Sequence, residues 1–546
     1  MPAPRSLFPA LLPVAGLALG LALLFHPVLW GGLTRVPGWP EQDPRLIAYV
    51  FEHAYRWLGG DPAHAELWSP PIFFPQRDVG QYTEPLFGLA PFYWPWRLAG
   101  FAPLAAYQLW LATVFALNYL SALALLRWSL GTALPAATLG SFVFAFGSAR
   151  IASLSKAHLV PSFYLVLATI ALVELFRDPP RSGARSAAWL RVALFAASLV
   201  AQFNSAFYPF WFYGLALLVA AAWTLVVPSL RRAAWPVVRR NAVPIVVCGG
   251  LAAIAIAPLA ARYVAAAGDV GFRTYDPTKI TQWFSWLLTG SSNWLWGWLD
   301  DRPRFRPWSR SIHANGLGFV TMLLAALGLW RARRRPLVVL LVLVTATMFV
   351  LTLRVHGDAS AWRWVRVVVP GGEGLRAVAR IGSLLAFPVA IGLALFFDGA
   401  MRRGRGWLLA VLAGLCVLEQ VHRDLSFDRG FADFRVARIV ERIPPGCRAF
   451  FLATTGGASD PDVHDDAMWA GLVSGVPTVN GRSGAVPPGW PLADAHVASD
   501  DERGDLRRRL AAWSEARGLA PGDVCFVEVD RAREHAAWAA RLAPAP

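Results

Sequence analysis

The stretch WPEQDPRLIAYVFEHAYRW, residues 39–57, sets Glu41, Asp43, Glu52 and His53 directly after the first long apolar run of the chain. Carboxylates in that place have one obvious use. A carboxylate at the mouth of a membrane cavity can take a proton from a reacting hydroxyl or amine. Partial desolvation favours the protonated form and makes such a group an effective base near neutral pH.

A purely structural role competes with that chemistry. Asp43 is followed by Pro44 and then by a helical pattern in which Leu46, Val50, His53 or Ala54, and Trp57 share one face. This predicts Asp43 as an N-cap and Pro44 as the first helical residue. Glu52 and Arg56 would then form an i,i+4 pair. The whole would be an amphipathic helix lying on the membrane surface. That reading accounts for Asp43, Arg45 and Arg56, but not for Glu41.

The elements that must position these residues are legible in the hydropathy. The chain has 546 residues, 56% of them hydrophobic, and a mean hydropathy of +0.44. Apolar runs of ~20 residues recur, the length that crosses the hydrocarbon core. The formal charge of +16 is carried by 51 basic residues against 35 acidic ones. It does not point to nucleic acid, because the basic residues fall in short clusters between apolar runs. These are Arg177, Arg181 and Arg185; Arg231, Arg232, Arg239 and Arg240; Arg331, Arg333, Arg334 and Arg335; and Arg402, Arg403 and Arg405. Clustering of this kind is the positive-inside pattern. Anchoring the clusters on the cytoplasmic face predicts eleven transmembrane helices, near 7–30, 103–127, 133–150, 159–177, 187–204, 208–228, 241–263, 315–331, 336–353, 381–398 and 407–422. The first is too long for a signal-peptide core and is read as a retained span. Residues 84–100, broken by Pro85, Pro91 and Pro95, are read as an interfacial or re-entrant helix.

The fold class expected is therefore a polytopic α-helical membrane protein with a small C-terminal α/β domain. The membrane module is 1–422, with a first periplasmic loop at 31–102 and a long one at 264–314. The second loop carries Trp283, Trp286, Trp294, Trp296, Trp298 and Trp308, read first as an interfacial aromatic belt and otherwise as a wall for a lipid chain or a sugar. Residues 423–546 form the periplasmic domain: CRAFFLATT and DVCFVEVD read as strands, VARIVERI and DERGDLRRRLAAWSEARG as helices. Within it, AMWAGLVSGVPTVNGRSGAVPPGWP is broken repeatedly by Gly and Pro. Cys447 and Cys525 are expected as two separate buried thiols, with a disulfide as the alternative if the domain is periplasmic.

At Glu41-Gln42-Asp43 the sequence resembles the acidic first-loop signature of the GT-C membrane glycosyltransferases, which take a sugar from a polyprenyl-phosphate donor. The order of parts is similar: one span, a long acidic loop with surface helices, a set of spans and a periplasmic C-terminal domain. WSPPIFFPQRDVGQYTEPLFGLAPFYWP, FAFGSARIASLSKAHLVPSFYL, GLRAVARIGSL and VPTVNGRSG together resemble a bacterial GT-C-like group, over most of the chain. The resemblance implies Asp43 as catalytic base and Glu84 as a second carboxylate, with Glu41 a weaker candidate. The chain departs from many GT-C enzymes where Thr83-Glu84-Pro85 stands in place of His-Pro-Pro. A polyprenyl phosphate already leaves well, so the protein must mainly neutralise the departing anion. The arginine fork suits that task. GLRAVAR is read as placing Arg376 and Arg380 four apart on one helical face, and Lys156 and His158 are further candidates for the donor phosphate. A divalent metal at Asp43 and Glu84 is possible in this reading; no other cofactor is expected. The partners expected are membrane lipids, the lipid-linked sugar and a glycan, lipid or protein acceptor.

The expected function is thus an inner-membrane glycosyltransferase that inverts at the anomeric carbon. A transporter or flippase of lipid-linked substrates is the alternative, and predicts ionisable residues inside the spans. Glu174, Arg191, Arg262 and Asp398 lie only near span ends. A non-catalytic scaffold of the same fold is a third reading.

Overall fold

The computed structural model describes residues 8–177, 184–271, 274–305, 312–355, 357–404, 406–456, 460–520 and 522–542. Trp308, Arg181 and Arg405 lie outside them, as does the side chain of Arg185. The chain divides into two units. The first comprises residues 1–30, 110–259 and 272–425; the second comprises residues 31–109, 260–271 and 426–546.

The first unit is built from apolar helices. In the whole chain, seven described helices are long and apolar enough to cross a membrane: Pro103–Ser129, Leu134–Ile151, Leu154–Arg177, Ser186–Phe203, Phe207–Val226, Ala242–Val270 and Val378–Met401. Four shorter apolar helices, Leu11–His26, Phe319–Arg331, Pro336–Leu351 and Gly406–Leu418, fall on the other expected spans. A helix of 13 residues such as Gly406–Leu418 is about 20 Å long at ~1.5 Å per residue, short of a ~30 Å hydrocarbon core.

Small residues let two of these helices touch. A Cβ on Gly328 would run into the Gly392 carbonyl, and one on Gly392 into the Ala325 carbonyl. Close backbone approach at small residues is how helices pack where no hydrophobic drive separates protein from lipid.

Two buried charges in this unit have structural work. Glu419 is fully enclosed and accepts from Val320 N at 2.9 Å, Thr321 N at 2.8 Å and the Trp296 indole at 2.9 Å. It thereby satisfies the orphan N–H groups at the start of the Phe319–Arg331 helix. Arg150 was not foreseen. It is 2% exposed and donates to the carbonyls of Phe144 at 2.7 Å and Val160 at 2.6 Å, and to Ser162 Oγ at 3.0 Å. It staples the broken FAFGSARIASLSKAHLVPS segment to itself. Asp398 receives Ala133 N at 2.9 Å and pairs with Arg402 at 3.2 Å.

Of the tryptophans of the second long loop, Trp283, Trp294 and Trp298 are exposed. Trp286 is buried in an aromatic core with Trp211 and Trp362.

The second unit corrects the expected boundary at 422/423. The first loop folds with the C-terminal segment, not apart from it. Strand β1 (Arg35–Pro37) pairs antiparallel with β2 (Ser426–Asp428). Strands β3 (Ala449–Thr455) and β4 (Val524–Asp530) pair in parallel, with Phe450 opposite Cys525. The helices Arg429–Val440, Val463–Ser474, Asp500–Glu515 and Arg531–Leu542 accompany them. Cys447 and Cys525 are joined in a disulfide, in place of the two separate thiols expected.

Candidate functional site

The helix Gln42–Leu58 is the spine of the second unit's site. It begins two residues earlier than expected. Glu41 is the N-cap residue and makes no side-chain cap bond, and Asp43 sits in the first helical turn. The cause is remote: Glu41 pairs with Arg435, and Gln42 donates to Asp462 at 2.5 Å. Pro44 is still tolerated there, because the first four N–H groups of a helix have no intrahelical partner.

The helix is also not the half-immersed surface element expected. Arg45 and Glu52 are buried along with Tyr49 and Phe51. Burial of those charges is possible because each is paired. Glu52 takes Arg56 at 3.2 Å, as foreseen, and also Arg97 at 2.7 Å and the Tyr93 hydroxyl at 2.9 Å. This holds the 84–100 segment against the helix as short turns, Ala90–Phe92 and Trp94–Leu98.

Arg45 reaches Asp466 at 2.5 Å. Asp466 also takes Arg435 at 3.0 Å and Arg531 at 2.5 Å, so three guanidiniums enclose one fully buried carboxylate. Arg435, Arg45 and Arg531 together hold its pKa below the usual carboxylate range, against the opposing effect of burial. Its neighbour Asp462 is the opposite case. Burial, then the Glu41 carboxylate, push the Asp462 carboxyl up to about 6. Between an ordinary value of ~4 and about 6, the folded state therefore holds a proton that the unfolded state has released. The expected result is a contribution that grows as pH falls from 7 to ~4, and that Asp462→Asn removes. Thermal melts of wild type and variant across that window check it.

The polar end of the site is made by the VPTVNGRSG motif. Thr478 and Asn480 are bonded on one side to β3: Val479 N to Phe450 O at 2.8 Å, and the Asn480 amide to Leu452 O at 3.0 Å. On the other side they receive Phe74 N and Phe73 N, both at 3.0 Å. Gly481 is required at the next position, because a Cβ there would stand 2.5 Å from the Phe73 ring. Arg482 then emerges beside Asp43. Its Nη2 donates to Asp43 Oδ1 at 3.1 Å, and its Nη1 lies 3.4 Å from Asp465 Oδ2. Asp465 is wholly buried, and burial pushes its carboxyl well above the usual range.

A small hollow opens beside this group. Leu46, Tyr49, Val50, Trp68, Phe87 and Arg482 are among its lining residues. Asp43, Leu46 and Val50 follow one another at i, i+3 and i+7, so the carboxylate stands on the helix face that forms the wall.

No protein-family model matches the sequence, and no curated protein is significantly similar to it. Among solved structures, the crystal structure of the Archaeoglobus fulgidus oligosaccharyltransferase in the apo form superposes at a TM-score of 0.52, with 12% identity, over 87% of this chain and 65% of that one. The cryo-EM structure of the arabinofuranosyltransferase AftD from mycobacteria is also found, at a TM-score of 0.47 and 16% identity, over 86% of this chain and 31% of that one. The first carries the fold assignment.

The chain shares the fold of that oligosaccharyltransferase.

Within this fold, the expected site residues separate into two sets. Asp43, Glu84 and Glu41 belong to the second unit, and Arg376, Arg380, Lys156 and His158 to the first. Asp43 is half-exposed. Glu41 is enclosed by Arg435 and Arg45, which makes it a structural anion and removes it as a base. Glu84 is half-buried and interacts with the Tyr263 hydroxyl.

Arg376 and Arg380 do not share a helical face. Leu375 is extended and Ala377 is non-helical, and a 3-10 turn runs only from Val378 to Ile381. The Tyr208 hydroxyl accepts from Arg376 N at 2.9 Å and Ala377 N at 3.3 Å, and the Arg380 guanidinium lies 4.7 Å above the same ring. Lys156 and His158 lie half-buried on the 3-10 turn Leu154–Leu159.

No cluster of three or more metal-ligating side chains occurs among the described residues. Asp43 is engaged by Arg482, which a divalent cation would have to displace. The donor set does not fit a metal as it stands.

Arg482, Asp465 and Asp466 are the residues sequence reading missed. One signal was present: an acidic pair, Asp465-Asp466, at the start of an otherwise apolar helical run, which must attract cations if it is buried.

Proposed function

We propose that the chain is a membrane glycosyltransferase of GT-C type, with Asp43 as the general base. The observation that carries this is a half-exposed carboxylate, oriented by Arg482, on the helix face that walls an apolar hollow. Asp43 takes the proton of the acceptor hydroxyl or amine. The acceptor atom forms a bond to the anomeric carbon as the bond from that carbon to the phosphate oxygen breaks. The leaving polyprenyl phosphate keeps the electron pair, and configuration inverts. Glu84 serves as the second carboxylate. Arg376 and Arg380, with Lys156 and His158, neutralise the departing phosphate. No step is routed through a metal.

The chain lies in a bacterial inner membrane with eleven crossings in this reading, and residues 423–546 are periplasmic. The Arg clusters support the orientation, and the Cys447–Cys525 disulfide supports an oxidising compartment. The transporter reading is disfavoured by Arg150, Glu419 and Asp398. Arg150 and Glu419 are held by backbone groups and a helix start, and Asp398 by Ala133 N and the exposed Arg402.

Transfer from a labelled polyprenyl-phosphate sugar by membranes carrying Asp43→Asn is the test. A second check concerns the donor phosphate. Arg376→Lys is expected to lower transfer about tenfold at normal protein level, because an ammonium lacks the bidentate fork. Full transfer by the double Arg376→Ala, Arg380→Ala variant would reduce both residues to ordering the turn on Tyr208.

A further inference from the structure

The hollow beside Asp43 has apolar walls and a polar end in which every charge is already matched. Arg482 is shared between Asp43 and Asp465. Asp465 is enclosed, and burial pushes its carboxyl well above the usual range; Arg482 stands between it and Asp43. His53 lines the wall; burial holds its pKa down, and its ring bonds to Leu67 O at 3.0 Å and to the His64 ring at 2.7 Å. His64 is held at about 3 by burial and by His53, so it too is neutral. An anionic ligand would find no cation that is not already paired. A polyhydroxylated one would meet mostly Leu46, Val50, Leu67, Ile72, Val79 and Phe87.

Two polar groups of the lining lack a partner. Tyr49 is 2% exposed, and its hydroxyl makes no hydrogen bond. Burial pushes its pKa up, so it remains a proton donor. The Ser483 hydroxyl, at the Arg482 end of the lining, is also enclosed and unbonded. Enclosed hydroxyls without partners are uncommon and call for an explanation. An occupant that supplies the missing acceptor is one.

We infer that this hollow is the acceptor subsite, and that it takes a neutral alcohol with an apolar body, whose oxygen accepts from the unpartnered Tyr49 hydroxyl. This rests on the glycosyl-transfer reading for the word acceptor. The binding itself does not, and is tested without donor or turnover.

The probe is a trifluoromethyl-diazirinyl benzyl alcohol, set beside the toluene analogue that lacks the hydroxyl. The full chain in lipid nanodiscs is photolabelled with each and the labelled peptides are mapped. The alcohol is expected to label residues 46–54 and 67–87. Val50→Trp, which fills the hollow from its wall, should reduce that labelling at least ~10-fold while labelling of the apolar helices stays unchanged as an internal control of folding. Tyr49→Phe keeps the ring and removes the hydroxyl. It should weaken labelling by the alcohol about fivefold, the worth of one neutral hydrogen bond, and leave the toluene analogue unaffected. Labelling confined to the apolar helices, or labelling of the wall that Val50→Trp does not reduce, overturns the subsite. Equal response of both probes to Tyr49→Phe overturns the choice of an alcohol. Should labelling succeed while no transfer is found, the subsite stands and the glycosyltransferase reading fails.

Discussion

Replacing Asp43 by Asn is expected to lower sugar transfer roughly 100-fold or more, the usual worth of general acid–base help, while the protein reaches normal levels. Asn is the informative substitution because of what the structure puts around the residue. The side chain is 35% exposed and accepts one bond from an Arg482 that is itself 31% exposed. An ion pair so open to water contributes ~1 kcal/mol or less. Asn keeps an oxygen to accept the same bond, so the loss in stability should lie at the low end. The helix does not depend on Asp43 as a cap, since that position belongs to Glu41. A carboxylate that only favours the first turn through the helix dipole would cost ~0.3–1 kcal/mol to neutralise and nothing in rate. The measurement pairs transfer from a labelled polyprenyl-phosphate sugar with thermal stability of the purified proteins. Glu84→Gln should show a smaller loss of the same kind. Wild-type transfer by Asp43→Asn would leave the Asp43–Arg482 pair as a structural contact, and the catalytic assignment would be wrong.

What could be read in advance follows physical range. Apolar runs announce helices because the signal is local, and all eleven expected spans coincide with apolar helices. CRAFFLATT and DVCFVEVD announce strands for the same reason, and β3 and β4 lie there. The errors have remote causes. The helix after Trp39 starts at Gln42 because Arg435 and Asp462, 394 and 420 residues away, hold Glu41 and Gln42. GLRAVAR carries good helix formers, yet its backbone is non-helical at Leu375 and Ala377, and Tyr208 from another helix takes the N–H groups of Arg376 and Ala377. The disulfide joins cysteines 78 residues apart, and only the pairing of β3 with β4 brings them together. Glu52 and Arg45 read as the wet side of an amphipathic helix, because periodicity counts charges as outward unless their partners are known. Those partners, Arg97 and Asp466, come from two other segments.

The Asp466 cluster should give the largest stability effect. Asp466 has no exposed surface, and its two oxygens take bonds from Arg45, Arg435 and Arg531, while Glu41, Asp460 and Glu534 engage the outer sides of Arg435 and Arg531. The cluster ties the helix Gln42–Leu58 from the start of the chain to Arg429–Val440, Val463–Ser474 and Arg531–Leu542 from its end. Removing the central anion leaves three guanidiniums facing one another in an enclosed space. Breaking a buried ionic group in this way typically costs ~3–5 kcal/mol, because the remaining charges stay desolvated without a counter-charge. Asp466→Asn is expected to lie in that range although Asn keeps one acceptor oxygen and the shape. The sign of the pH effect separates charge from shape. A carboxyl whose folded pKa is depressed contributes stability that is full above its unfolded value of ~4 and is lost as pH falls through the depressed folded value. The difference between wild type and Asp466→Asn should therefore be constant near pH 7 and shrink in acid, below ~4. A difference that persists undiminished at low pH would mean that Asp466 acts through packing and hydrogen-bond geometry, not through its charge. A difference under ~1 kcal/mol at pH 7 would mean that the three arginines find other partners, and the cluster would not be what joins the first loop to the C-terminal segment.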